Sequence, residues 1–289
     1  MIRVNPKTDL IFKKLFGVEE NKDLLISLIN SVVSEEDQVQ DIILLNPYNP
    51  QHFKDDKLSI LDIKAEGHNN KQFNIEIQIA DHGDYDKRAL YYWAKLYTEQ
   101  LSSGEDYSRL NKAIGIHILN FTSILESESY HNIFHVKEKN TGISYFQDLE
   151  LHTIELTKFS SNIDNDFHAL LSKMKQTIDI WAAFLTKYDL LDQKQNELPK
   201  SSDYSNLKKA LNIINVMSLS DKERDLYENR LKWLRDESSA LNKKYEKGRA
   251  EEKRDIVMNM LQAGFSIDDI CKATKLSADE VQEIQENDT

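Results

Sequence analysis

Residues 58–79, LSILDIKAEGHNNKQFNIEIQI, hold the acidic and polar side chains best placed to share one chemical task. Two alternating apolar runs flank His68-Asn69-Asn70, the pattern of a β-hairpin. Strand alternation puts Asp62, Lys64 and Glu66 on one side of the first strand. Asn74, Glu76 and Gln78 share one side of the second. Antiparallel pairing then brings Asp62 and Glu76 together, with Gln78 beside them. If buried, two carboxylates and an amide cost solvation free energy that a hard divalent cation would offset. On a solvated sheet face the same residues are ordinary hydrated side chains, and spacing alone leaves both readings open.

The elements that must position this hairpin follow from periodicity. Thr8-Asp9 starts a helix carrying Leu10, Ile11, Phe12, Leu15 and Phe16, with Asp9 as its N-cap; Gly17 breaks it. A second helix from Asn21 aligns Leu24, Leu25, Leu28, Ile29, Val32 and Val33. Residues 38–46 read as a strand and 47–57 as a polar loop. After the hairpin comes a helix over Asp84–Ser103 rich in aromatics, among them Tyr85, Tyr91, Tyr92, Trp93 and Tyr97. Aromatics at this spacing read as core, with base stacking as the alternative. Residues 112–121, 131–138 and 143–157 supply further strands, and His117 falls inside the first as a satisfied core histidine. This order predicts an α/β mixed sheet flanked by helices.

From about residue 162 the chain reads as helical. One amphipathic helix is expected over 165–190, a polar linker around 193–206, and a helix over 205–217. Ser220 with Glu223 forms a capping box for a charged helix running to about 245, with an interruption at Gly248. The last 40 or so residues resemble a helix-turn-helix. Its second helix starts Ser277-Ala278-Asp279-Glu280, which is acidic, so it reads as an interaction element rather than a DNA reader. The expected division is 1–160, 161–204 and 205–289.

Composition narrows the function classes. The net charge of −12 argues against a loosely scanning polybasic nucleic-acid binder. Cys271 is the single cysteine, which excludes an intrachain disulfide and a cysteine-based zinc site. No segment approaches the ~20 apolar residues of a membrane span, and the start MIRVNPKTDLIF has no signal-peptide core, so a cytoplasmic protein is expected.

Three segments in order, KTDLIFKKLFG, KLSILDIKAEGHNNKQFNIEIQ and KRALYYWAKLYTEQLSSGEDYSRLNKAIGIHILNF, resemble the PD-(D/E)XK nuclease family transposases, or Rpn-type recombination-promoting nucleases. The match covers roughly residues 5–160, and the helical tail is similar to the tails of that family. The resemblance implies a restriction-endonuclease-like fold with an all-helical C-terminal extension. It also implies a metal-dependent DNA endonuclease acting in recombination, mobile-element or defence biology. Asp62 matches the first motif carboxylate and Glu76 the second, and these two would hold Mg²⁺ or another divalent cation such as Mn²⁺ or Ca²⁺ with the residue 77 carbonyl. Gln78 stands where the namesake pattern has lysine; its amide can orient a water but supplies no charge. Lys57, Lys64 and Arg88 are the candidate cations, with Asp9 and Tyr91 as further supporting residues. Arg88 reads either as a phosphate ligand or as a salt bridge to Asp84. The alternative is a catalytically weak nuclease-fold protein acting as a regulatory partner, or forming homo-oligomers through its helical tail. An RNase using the same site is a third reading.

Overall fold

A computed structural model describes residues 4–45, 48–49, 59–60, 62–81, 83–161, 163 and 165–286. Helices α1 (Asp9–Phe16) and α2 (Lys22–Val32) form where the apolar stripes predict them, burying Ile11, Phe12, Leu15 and Phe16 on one and Leu24, Leu25, Leu28, Ile29 and Val32 on the other. Thr8, not Asp9, is the N-cap of α1: its carbonyl accepts from Phe12 N at 2.8 Å. Asp9 is instead the first helical residue, where a carboxylate suits the positive end of the helix dipole. Gly17 ends α1 against the sheet. A Cβ there would lie 2.9 Å from the Lys13 carbonyl and 3.4 Å from Ile63 Cγ1, so glycine permits this close approach.

Strands β1 (Ile42–Leu45), β2 (Tyr48–Asn49), β3 (Ser59–Ile60), β4 (Ile63–Gly67), β5 (Gln72–Gln78), β6 (Ala113–Leu119), β7 (His131–His135) and β8 (Leu149–Glu155) build two sheets. The main sheet runs β1-β4-β5-β6-β8-β7, and β2 pairs with β3 separately. β1, β4 and β5 are antiparallel, β5, β6 and β8 parallel, and β7 antiparallel to β8. The predicted hairpin turn is present: Gly67 N donates to Lys71 O at 2.9 Å and Asn70 takes a positive φ of 59°. The strand predicted over 38–46 is confined to β1. The Asn30 side chain takes both backbone groups of Val39, each at 2.8 Å, in place of a neighbouring strand. β6 is buried throughout, as a parallel strand covered on both faces requires.

Helix α3 (Tyr85–Thr98) connects β5 to β6 and packs on them. On the opposite sheet face Ile63, Ala65, Phe73, Ile75, Ile77, Ile114, Ile116 and Ile118 are buried. Beyond β8 come α4 (Leu156–Ser160), α5 (Phe167–Lys173), α6 (Thr177–Gln193) and α7 (Ser205–Val216). The single helix predicted over 165–190 is broken into α5 and α6. Asp179 accepts from the backbone N–H groups of Lys175 and Gln176 at 3.0 and 2.8 Å, capping a fresh helix start.

The chain divides into two compact units, Met1–Tyr227 and Glu228–Thr289. Within the first, α2 packs on α6 and α7, and α4 on α6. Helix α8 (Asp221–Gln262) begins at the predicted Ser220–Glu223 capping box and passes through Gly248 without a break. One helical glycine costs about 1 kcal/mol relative to alanine, too little to end so long a helix. In the second unit, α9 (Ile267–Thr274) and α10 (Ala278–Glu286) close with the end of α8 around Val257, Ile270 and Val281. Ser266 caps α9, and Ser277, the start predicted for the last helix, caps α10 with Glu280. No described helix is long and apolar enough to cross a membrane.

Candidate active site at the end of the central hairpin

The β4–β5 register pairs Ile63 with Ile75, which places Asp62 opposite Glu76 one step before the ladder begins. Asp62 N donates to Glu76 Oε1 at 3.2 Å, and Ile77 N donates to Asp62 Oδ2 at 2.9 Å. The Asp62 side chain is 12% exposed and Glu76 7%. Lys13 of α1 completes the cluster, with Nζ 3.1 Å from Asp62 Oδ1. The reach follows from the packing: Gly17 lies against Ile63, and Lys13, one turn earlier, meets the neighbouring residue Asp62.

Burial raises the pKa of Asp62 against the opposing pull of Lys13 and the Ile77 N–H, and the charge of Asp9 pushes it the same way as burial. Glu76 is raised too, first by burial and then by the charge of Asp62, with Lys13 and Arg88 opposing. Tyr92 is raised by burial and by Glu76. The pair thus resists ionisation. Among the described residues no group of three or more Asp, Glu, His or Cys side chains is arranged to hold a metal ion. Two hard carboxylates that repel each other in a buried site nevertheless suit a dication, whose charge would offset both burial and repulsion.

The other predicted residues separate. Gln78 turns its amide into its own chain, donating from Nε2 to the Ala80 carbonyl at 2.9 Å, and does not join the carboxylates. Lys64 is committed to Glu99 at 2.8 Å, across the pair it forms with Asn74. Lys57 and most of the 47–57 loop lie outside the described residues. Asp9 sits at the start of α1 and acts on Asp62 through its charge. Arg88 meets Asp84 only through the helix backbone, N to O at 3.2 Å, and lays its guanidinium 4.9 Å from the Tyr85 ring centre. Its Nε is buried without a hydrogen-bond partner among the described residues. Tyr91 packs against Tyr92 with ring centres 6.1 Å apart and has Lys95 Nζ 5.9 Å from its own. Of the α3 aromatics only Tyr85 is buried; the others are half-buried.

Two residues were not legible as site residues. Lys13 stands far from the hairpin in sequence, and its only signal was that the apolar stripe of α1 leaves it facing away from the helix core. Tyr85 links the site to the sheet interior, its hydroxyl 2.7 Å from His117 Nδ1. The expectation of a satisfied core histidine holds for one nitrogen only. His117 Nε2 is buried with no partner among the described residues, and burial pulls its pKa down to about 3.

The family model for PD-(D/E)XK nuclease family transposase matches residues 6–244. Neither the search of curated proteins nor that of solved structures gave a match.

Proposed function

This chain belongs to the PD-(D/E)XK nuclease family transposases, and we propose that it is a metal-dependent endonuclease hydrolysing phosphodiester bonds of DNA. The observation that supports this reading most is the buried Asp62–Glu76 pair, hydrogen-bonded through the Asp62 N–H and left with raised proton affinity. Asp62 and Glu76 would hold a divalent cation, with Mg²⁺ as the first choice and Mn²⁺ or Ca²⁺ as others that take carboxylate oxygens. Such a cation polarises a phosphate and lowers the pKa of a bound water.

The chain's own residues supply the rest. Lys13 provides the positive charge that Gln78 cannot, and it reaches Asp62 from another element. With a cation held by Asp62, the Lys13 ammonium would be the group that donates to a phosphate oxygen. Arg88 holds its guanidinium on Tyr85, within the field of Glu76, where a fork of N–H donors suits phosphate. Gln78, bonded to Ala80, stabilises the turn that leaves β5.

Supercoiled plasmid incubated with Mg²⁺, Mn²⁺ or Ca²⁺, against a chelator control, tests the reading. Cleavage should require metal and should vanish in Asp62→Ala and Glu76→Ala. Cleavage that persists in both variants overturns it. Folded, metal-binding protein that cuts neither DNA nor RNA would favour the catalytically weak regulatory protein, which the inward-turned Gln78 supports.

A further inference from the structure

The far edge of the main sheet is β7, which pairs with β8 on one side and with no described strand on the other. Glu155 N donates to Tyr130 O at 2.7 Å, which sets the phase of the β7–β8 ladder. Hydrogen-bonded positions alternate along an antiparallel pair, so Tyr130, Asn132 and Phe134 turn their backbone groups to β8. His131, Ile133 and His135 turn theirs outward. The His131 carbonyl accepts from Ser129 Oγ at 2.7 Å, whereas Ile133 and His135 present their backbone groups with no ladder among the described residues.

An open sheet edge is normally guarded by a charge, a proline or a bulge. Residues 131–136, HNIFHV, contain no Lys, Arg, Asp, Glu or Pro, and the register of β7 with β8 runs without a bulge. Apolar side chains stand on both faces of the strand instead, with Ile133 51% and Phe134 44% exposed. Val136, Tyr145 and Phe146 extend this surface along the connection back to β8. The flanks of the strand carry opposite charge. Glu126 and Glu128 precede it, Lys137 and Lys139 follow it, and all four are exposed. Glu138, between the two lysines, is taken up by its own turn, accepting from the N–H groups of Asn140 and Thr141. Parallel pairing with a like strand would set acid against acid. Antiparallel pairing sets the acidic flank of each strand against the basic flank of the other.

We propose that β7 is the contact between two copies of this chain, paired antiparallel about a dyad through Ile133. Ile133 then meets the partner's Ile133, and His131 meets the partner's His135, each through outward-facing backbone groups. The two main sheets become one. Glu76, His117, Thr153 and Asn132 are register partners across β5, β6, β8 and β7, so the row from the candidate site ends one residue short of Ile133. The two sites therefore flank the dyad at nearly one level. Seven strand steps of about 4.8 Å separate β5 from the partner's β5, or roughly 34 Å. That is about one turn of duplex DNA, ~34–36 Å, and a dyad also relates the two antiparallel strands of a duplex. This spacing matters only under the nuclease reading, on which it rests; the contact itself does not.

Sedimentation velocity of the full chain over a concentration series, without metal or DNA, tests the contact. Wild type should pass from monomer to dimer as concentration rises. Ile133→Lys and Ile133→Glu each set like charges across the dyad and should weaken dimerisation by at least about tenfold. Because Ile133 meets itself, an equimolar mixture of the two variants should restore dimers. Lys137→Glu, on an exposed flank, should also weaken dimerisation, which keeps the test open if the strand does not tolerate change. Wild type that stays monomeric, or dimers that these variants keep, overturn the proposal, the latter placing self-association elsewhere, as in the helical tail. A mixture that stays monomeric overturns the dyad at Ile133. On supercoiled plasmid with Mg²⁺, wild type should cut opposite strands about one turn apart, ~10 base pairs. Ile133→Lys should nick instead, with linear product down about tenfold. Paired cuts at an unrelated spacing overturn the arrangement. If wild type cuts nothing, the nuclease reading fails by itself, and sedimentation still decides the contact.

Discussion

The first unit, Met1–Tyr227, buries two acidic pairs, and they are treated in opposite ways. Asp37 and Glu150, each 3% exposed, share Lys112, whose Nζ lies 2.6 Å from an oxygen of both. Lys71 and Ser34 add further bonds to Asp37, and His152 lies 2.7 Å from Glu150. Burial alone would raise both carboxyls, but these bonds outweigh it and leave both pKa values lowered. At Asp62 and Glu76 burial wins, because among the described residues the one cation in contact with the pair is Lys13. Chemically similar buried residues of one fold therefore divide by the supply of positive charge. Where the fold supplies enough, a buried acid is structural; where it supplies too little, the deficit is a place for an external cation.

The sharpest way to break this contrast is to remove the under-compensated pair. Asp62→Ala or Glu76→Ala should lower metal-dependent plasmid cleavage by at least about 10³-fold, the effect of ~4 kcal/mol in the barrier. Folding stability, read by urea denaturation, should hold or rise, since a strained buried carboxylate is gone. Activity loss accompanied by unfolding would show that this pair is structural as well.

Lys112→Ala should do the reverse. It strands Asp37 and Glu150 without their shared cation and should cost about 3–5 kcal/mol of stability by urea denaturation, with little change in turnover per folded molecule. A loss of cleavage without a loss of stability would erase the distinction between the clusters.

A smaller effect is expected at Lys13. Lys13→Ala should lower cleavage about 10²-fold, ~2.7 kcal/mol, and move the acid limb of the pH–rate profile upward, because Lys13 now opposes the rise of both carboxyl pKa values. Lys13→Arg should retain most of the activity by keeping the charge, whereas a Gln78→Ala protein that loses more than Lys13→Ala would return the catalytic role to Gln78.

The smallest effect is the pH dependence of stability, and its sign differs between clusters. Asp62 and Glu76, raised in the folded protein, keep protons that the unfolded chain has already released. Metal-free stability should therefore fall as pH climbs from the ordinary carboxylate range through their folded values. Asp37 and Glu150 are lowered, so their contribution is complete above the unfolded range and fades as pH falls through it. Urea midpoints from about pH 4 to about 9, in chelated wild type and in Glu76→Gln, should lose the alkaline decline in the variant. Adding Mg²⁺ to wild type at roughly a hundredfold excess over its Kd should stabilise by about 2.7 kcal/mol, a gain absent from Asp62→Ala.

The parts of this protein governed by near neighbours in the chain were legible in advance. The alternation of 58–79 predicted the hairpin and the meeting of Asp62 with Glu76, because an antiparallel register with a short turn fixes which residues oppose. Ser220 and Ser277 announced their helix starts for the same reason, since a cap acts within one turn. Asp179 was less readable: its capping interrupts an apolar stripe that otherwise looks continuous, and Gly248 misled in the other direction.

Longer-range relations belong to the tertiary structure. Lys64 shared a predicted strand face with Asp62, yet Glu99 of the region following α3 claims it. Gln78 was placed beside the acids by alternation, yet its amide satisfies Ala80. Lys13 meets Asp62 only because Gly17 lets α1 rest against Ile63, and His117 lines up with Glu76 and Thr153 only through parallel pairing of strands distant in sequence. The sequence by itself determined the two carboxylates and the strand that presents them, because backbone periodicity is local. Which cation faces them, and how much charge they are left to carry, was decided by packing, because Coulomb interactions and burial depend on distances the chain acquires only when folded.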